Sequence, residues 1–293
     1  MLKDVTELIL KHFPDPDPNI PYVRERFHSD WTPDMTYKWQ QNRAIVGHNY
    51  KISWNLQRVA NYFSSFDEPF AAEIKKRAVT LGNSMSKFGI DQIRGGCYDA
   101  VEREPKNGMP IEFVWQDTKD FWQQEQGILA YLILHGTSSN ATEKEDYLKG
   151  AREMASFWNL FYLDHDNRGI FFRVTDNGLP VVQGAYANKA SHALAGYHSF
   201  ELNFLAHMYI RSYIDNPTGS DENFVLYFKP EQGHKSINVM PDFFPAGHLE
   251  IANIQINGIK QEIQSSTDFQ INLKGYESSS YVAVEFKKVK KND

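Results

Sequence analysis

Three short extended segments, at Val23, Tyr98 and Phe171, recur about 75 residues apart, between pairs of stretches with helical apolar spacing. This repeat constrains the fold more than any other feature. A helix hairpin cannot bury its apolar face alone, so a chain that repeats one must stack its units into a solenoid or close them into a toroid.

The apolar spacing predicts helices over residues 4 to 13, 48 to 65, 68 to 87, 118 to 135, 143 to 162 and 191 to 214. The first ends at the run Pro14-Asp15-Pro16-Asp17-Pro18. The second carries Ile52, Leu56, Val59, Ala60 and Phe63 on one face, and its partner carries Ile74, Ala78, Leu81 and Met85. Near Asn216 the pattern changes to short alternating runs, at Phe224–Phe228, Ser236–Val239, His248–Ile256, Ile259–Ile263, Phe269–Leu273 and Tyr281–Phe286. Asn257-Gly258 between two of them signals a type I′ hairpin. The reading is mainly α: a helical domain over residues 1–217, then a small antiparallel β-domain over 218–293. So short a β-unit is expected to pack against the helices, because alone it would bury little core.

A net charge of -6 leaves no basic footprint for nucleic acid. No apolar span reaches the length of a membrane helix, and the start Met1-Leu2-Lys3-Asp4 lacks the apolar run of a signal peptide. One cysteine, Cys97, excludes an internal disulfide framework. The expectation is a cytoplasmic protein with no nucleic-acid or membrane partner. Aromatic residues make up 14% of the chain, enough to line a pocket as well as a core, which suits a sugar.

Two histidines stand where loops enter apolar helices, His48 in Gly47-His48-Asn49 and His198 in Gly196-Tyr197-His198. A histidine at a helix mouth is by itself more often a capping or packing residue. Two facing one cavity are a pair of groups tunable near neutral pH, suited to moving a proton on and off carbon. No metal site is expected: neither has further ligands at helical spacing, and His192 lies six residues from His198. His135, His165, His207, His234 and His248 read as structural. Between the pair, Trp122 and Glu125 share one helical face, a ring and a carboxylate of the kind that hold a sugar. They would equally serve as a core residue and a first-turn acid.

The stretches Gly47-His48-Asn49-Tyr50-Lys51-Ile52-Ser53-Trp54, Asp120-Phe121-Trp122-Gln123-Gln124-Glu125 and Gly196-Tyr197-His198 resemble, in order and spacing, three signatures of the N-acylglucosamine 2-epimerase family. The resemblance spans roughly residues 1 to 215. It implies an (α/α)6 toroid with the site in its central funnel, and epimerisation or isomerisation of a reducing sugar with neither metal nor cofactor. One histidine of the family takes the proton beside the carbonyl, giving an enediolate, and the other returns a proton on the opposite face. His48 and His198 hold those positions. Trp122 and Glu125 match the sugar-lining helix, and Lys51, Trp54, Tyr98, Trp115 and Glu201 complete the expected sugar-binding set.

Three departures shape the expectation. Lys51 stands where the family has a glutamate, and Ser199, Phe200 and Glu201 stand where it has an asparagine or valine and then an arginine. Together these suggest a charge exchange that keeps a Lys51–Glu201 pair. About three hairpins are legible where a closed toroid has six, so a partial toroid is expected. Arg24, Arg26 and His28 do not supply the arginine and third histidine of the family's N-terminal half. Homodimerisation or association with a missing N-terminal half would cover the open face. The alternatives are a non-catalytic carbohydrate-binding or scaffold fragment, and glycoside hydrolysis by Glu125 with Glu201 or Asp117, which needs two carboxylates roughly 5 to 10 Å apart across the funnel.

Overall fold

The computed structural model describes residues 1–38, 40–104, 111, 113–114, 117–189, 196–214, 223–276 and 280–289. Six helices are present among them: α1 (Leu2–His12), α2 (Val46–Phe63), α3 (Glu68–Phe88), α4 (Phe121–Thr137), α5 (Ala141–Phe161) and α6 (Tyr197–Tyr209). A π-turn, Ile210–Ile214, continues α6, and residues 191–195 of the expected last helix lie outside the described residues. Local signals set the starts of two helices. Asn140 accepts hydrogen bonds from the Thr142 and Glu143 amides to cap α5, and Asp67 caps α3 with Pro69 in its first turn.

The helices form an arc in two layers. α2, α4 and α6 pack side by side as the inner layer, with α3 against α2 and α5 against α4 outside. Ile9 and Leu10 of α1 join the apolar cluster of Leu56, Phe63, Ala71 and Ile74 on α2 and α3. The architecture is an incomplete α/α toroid, as the spacing of hairpins predicts.

The repeat is written in hydrogen bonds. The residue closing each outer helix accepts from the strand that returns toward the inner layer: Phe13 from the Arg24 amide at 2.7 Å, Gly89 from Tyr98 at 2.9 Å, Tyr162 from Phe171 at 2.8 Å. The second and third returning strands then each pair with a strand leading into an inner helix. β1 (Arg43–Ile45) pairs with β2 (Ala100–Glu102), setting Ile45 opposite Ala100, and β3 (Thr118–Asp120) pairs with β4 (Arg173–Thr175), setting Asp120 opposite Arg173. Each three-residue ladder holds the N-terminal mouth of one inner helix.

Lys119 joins the two units. Its side chain is fully buried, and its ammonium meets Asp91 Oδ2 at 2.9 Å, the Gly95 carbonyl at 2.7 Å and the Asp176 carbonyl at 3.0 Å. Burial lowers the Lys119 pKa more than Asp91 raises it, and the ammonium overcomes burial to hold the Asp91 carboxyl below its ordinary value.

The C-terminal strands are β5 (Phe224–Phe228), β6 (Ser236–Asn238), β7 (Leu249–Ile256), β8 (Ile259–Lys260), β9 (Gln270–Asn272) and β10 (Val282–Lys288). One antiparallel sheet runs β5-β10-β7-β8, and β6 pairs separately with β9. The β7–β8 turn places Asn257 at φ 52° and Gly258 at φ 80°, the left-handed pair that a type I′ hairpin requires. Val284 and Phe286 belong to the same core as Trp54 and Leu129, so the sheet shares the helices' interior. Its contacts fall on the far halves of the inner helices: Arg58 with Asp242 at 2.9 Å, Tyr209 with Phe244 at 5.0 Å between centroids, and Tyr213 with His248 at 4.3 Å. His48 and Arg58 are ten residues apart on α2, about 15 Å along the axis. The β-unit therefore packs at the end of the arc away from the histidines.

Candidate active site

The mouths of α2, α4 and α6 present three rings in a row. Trp122 lies between the histidines, its ring centroid 5.2 Å from that of His48 and 5.5 Å from that of His198. Each ring comes from the first turn of its helix, so all three inner helices direct their N-termini to one place. The positive ends of three helix dipoles favour an anion there.

Backbone and amide groups make these mouths without an N-capping side chain on α2 or α4. The Val46 amide donates to the Asp99 carbonyl at 3.0 Å, and the Phe121 amide to the Phe172 carbonyl at 3.0 Å. The Gly47 amide donates to Gln123 Oε1 at 2.6 Å. Gly47 is required by this approach, since a Cβ there would stand 2.7 Å from Gln123 Cγ and 2.7 Å from Trp122 Cζ3. Gly47→Ala is expected to cost about 1–3 kcal/mol by overpacking and to displace the indole. A denaturant titration followed by tryptophan fluorescence would read both, and an unchanged midpoint would contradict it.

His48 Nδ1 meets Glu25 Oε2 at 2.5 Å, and Glu25 projects from the extended segment before α2. The other oxygen of Glu25 is buried with no hydrogen-bond partner among the described residues. On the far side of Trp122, His198 Nδ1 lies 3.2 Å from Gln126 Nε2. The same amide nitrogen donates to Glu201 Oε2 at 3.0 Å, and Gln126 Oε1 accepts from Trp54 Nε1 at 2.8 Å. The pKa of His198 is lowered to about 4, chiefly by burial, then by the Lys51 charge, against the pull of Glu201; His48 lowers it further. His198 is thus a neutral imidazole at physiological pH.

Lys51, one turn below His48, pairs with Glu201 at 3.2 Å and donates to the Tyr197 hydroxyl. Its ammonium stands 4.7 Å from the Tyr197 ring centroid and 5.4 Å from that of Trp54. The exchanged charges thus form a cross-link from α2 to α6.

Not every expected site residue joins this cluster. Trp54 is 1% exposed and acts through its indole N–H, so it has no face to offer a sugar. Tyr98 is buried edge-on to Phe113 at 5.0 Å, with no ring contact to the histidines or Trp122. Trp115 lies outside the described residues. Glu125 is fully buried, accepting from Ser199 Oγ at 2.9 Å. Without solvent access it cannot be one of the paired carboxylates of a glycoside hydrolase, and Asp117 is exposed on the loop before β3.

Burial, reinforced by the Glu201 charge and opposed by the Ser199 bond, raises the Glu125 pKa from its ordinary 4.5 to about 8. Between those values the folded chain holds a proton that the unfolded chain has released. The resulting stabilisation is full below pH 4.5 and is lost as pH rises through 8. Glu125→Gln, neutral at every pH, is expected to flatten the fall in stability from pH 5 to 8. Some slope should remain, because burial and Asp120 push Asp99 to about 8 as well. Parallel pH series of unfolding midpoints that coincide for the two proteins would contradict this.

Two residues that contact the histidines are absent from the expected set: Glu25 and Gln126. The second left a signal. Gln123, Gln124, Glu125 and Gln126 form a whole helical turn of polar residues followed by the apolar run Gly127–Leu134, and all four are fully buried. A polar turn that faces every direction of a helix continuing so apolar marks an interior network rather than a solvent face.

Comparison with known proteins bears on family and fold. Residues 2–196 match the model of the N-acylglucosamine 2-epimerase (GlcNAc 2-epimerase) family. A sugar epimerase from a ruminal bacterium is similar with a TM-score of 0.54 at 14% identity, over 69% of this chain and 45% of its own. A cellobiose 2-epimerase from Bacillus thermoamylovorans B4167 gives 0.53 at 15% identity, over 70% of this chain and 46% of its own. The chain thus spans less than half the length of these structures, and at such identities the likeness is one of fold. A search of curated proteins finds no match. The family match covers more than half of the sequence and includes the mouths of α2 and α4, so the chain belongs to the N-acylglucosamine 2-epimerase family.

Proposed function

We propose that the chain carries sugar epimerase or isomerase chemistry, moving a proton at the carbon beside the carbonyl of a reducing sugar through an enediolate. His48 and His198 are its acid–base pair. The observation that carries this reading is the row His48–Trp122–His198 at three converging helix N-termini. Trp122 gives an open-chain sugar an apolar face to lie against, with an imidazole on either side. The helix ends favour the enediolate over the neutral sugar, which is the preference that lowers a barrier. Lys51, held by Glu201 and Tyr197, would bind sugar oxygens. The chemistry calls for neither metal nor cofactor.

The partner is a small-molecule sugar. Tyr197, Phe200 and Phe204 are 56, 77 and 50% exposed on α6, which supports association of the arc with a second copy or with a further helical segment. The purified chain, given mannose, glucose, N-acetylmannosamine or cellobiose in deuterated water, is expected to show loss of the C2 proton signal by NMR. A folded sample that exchanges no proton in any of them would overturn the reading. A second reading, a non-catalytic carbohydrate-binding or scaffold fragment, is supported by the chain's spanning under half of the solved structures. Sugar affinity without exchange would favour it.

A further inference from the structure

The two histidines are not equivalent, and the difference lies in what holds each Nδ1. Trp54 Nε1 can only donate, so the Gln126 atom 2.8 Å from it is the amide oxygen. The Glu201 carboxylate accepts, so the Gln126 atom 3.0 Å from it is the amide nitrogen. A flipped amide would set donor against donor at Trp54 and acceptor against acceptor at Glu201, so the orientation is fixed twice over. That nitrogen is the atom 3.2 Å from His198 Nδ1. An NH2 group only donates, so Nδ1 must accept, and the ring proton sits on Nε2. His48 has the opposite arrangement. Its Nδ1 faces a carboxylate at 2.5 Å, so in the neutral ring the proton sits on Nδ1 and the lone pair on Nε2. Among the described residues nothing hydrogen-bonds either Nε2.

From these contacts we infer that Glu25 and Gln126 are positioning residues that make His48 the sole carbon base and His198 a neutral hydrogen-bond donor to oxygen, so that the site is built for aldose–ketose isomerisation rather than C2 epimerisation. The inference rests on the sugar chemistry proposed above. Epimerisation needs a second group able to protonate the opposite face of C2. To do so His198 must enter as an imidazolium, for a neutral ring that gave up its Nε2 proton would become an imidazolate. The imidazolium would turn an Nδ1–H against the Gln126 NH2. Lys51 and His48 from α2 also oppose its charge, and Glu201 on its own helix favours it.

Isomerisation makes no such demand. His48 Nε2 takes the C2 proton, the C–H electron pair becomes the C1–C2 double bond, and the carbonyl pair moves onto O1. O1 takes the proton of His198 Nε2 while the O2 hydroxyl gives its own to the same nitrogen, which is thereby restored. His48 then returns its proton to C1 as the carbonyl re-forms at C2. A neutral imidazole polarising the carbonyl beside a single base is an arrangement known from other enolising enzymes.

The test reads tautomer and product separately. In the full chain labelled with 15N-histidine, long-range proton–nitrogen correlation should show His198 with a pyridine-type Nδ1 and a pyrrole-type Nε2, and His48 with the reverse. A protonated His198 Nδ1 would overturn the inference. With an aldose in deuterated water, the expected product is the ketose with deuterium at C1. The 2-epimer with deuterium at C2 as main product would overturn it. In Gln126→Glu the new carboxylate should accept an Nδ1–H, shift the His198 signals to the opposite tautomer or the imidazolium, and raise the epimer-to-ketose ratio at least tenfold. An unmoved tautomer in a folded variant would remove Gln126 from the role. If no sugar turns over at all, the proposed function fails, while the nitrogen spectrum still decides the tautomers.

Discussion

Alanine at His48 is expected to lower C2 proton exchange by about 10²–10⁴-fold, the range that a positioned general base supplies. The side chain stands at the row's edge with Glu25 as its one hydrogen-bond partner among the described residues, so its removal empties a place without breaking the core. Sugar binding, which the proposal assigns to Trp122 and Lys51, should survive, so the loss falls on turnover rather than affinity. Alanine at His198 should cost about 10²–10³-fold, the scale for one donor to a developing oxyanion. Deuterium incorporation rates together with calorimetric sugar affinities would separate the two effects. Exchange that persists undiminished in both variants would remove the histidines from the chemistry altogether.

The second large effect is on stability. Lys119→Met keeps the stem and removes the ammonium, leaving the fully buried Asp91 without its main counter-charge and two carbonyls without their donor. Breaking a buried pair by deleting one partner costs about 3–5 kcal/mol. Asp91 keeps hydrogen bonds from the Ile93 and Arg94 amides at 3.1 Å each, and Arg94 Nη1 stands 3.7 Å from it. These residual partners place the expectation toward the lower end. The double variant Lys119→Met with Asp91→Leu should recover much of the loss, since no charge is then left buried. Urea titrations of the three proteins would measure it. A single variant within 1 kcal/mol of the parent would show that Arg94 can take over.

Much of this fold was legible because it repeats. The starts of α2, α3 and α5 fall within two residues of their expected places, and the strand at Phe224–Phe228 falls on its own. The Asn257-Gly258 turn needed only the two residues best suited to a left-handed backbone. The candidate site was legible where a ring stood at a helix mouth. It was not legible where a residue works through another. Glu25 sits in an extended segment with no periodicity to mark it, and only the fold brings it to His48, 23 positions on. The family resemblance places Trp54 and Tyr98 in the expected sugar-binding set, yet packing claims both rings. Composition says how many rings a chain has, and burial decides which remain for a ligand.

The buried polar turn at the start of α4 has a consequence for how this chain can change. Gln123 joins the Gly47 amide and Asp99, Gln124 closes on both backbone groups of Cys97, Glu125 reaches Ser199, and Gln126 reaches Trp54, His198 and Glu201. Four consecutive side chains thus serve α2, the β2 approach and α6 at once. Sequence drift here cannot proceed one residue at a time, because each replacement strands a polar group in another element. Descendants of this chain would alter that turn only together with its partners, so lineages with a different turn should carry matching changes at Gly47, Asp99, Ser199 or Trp54.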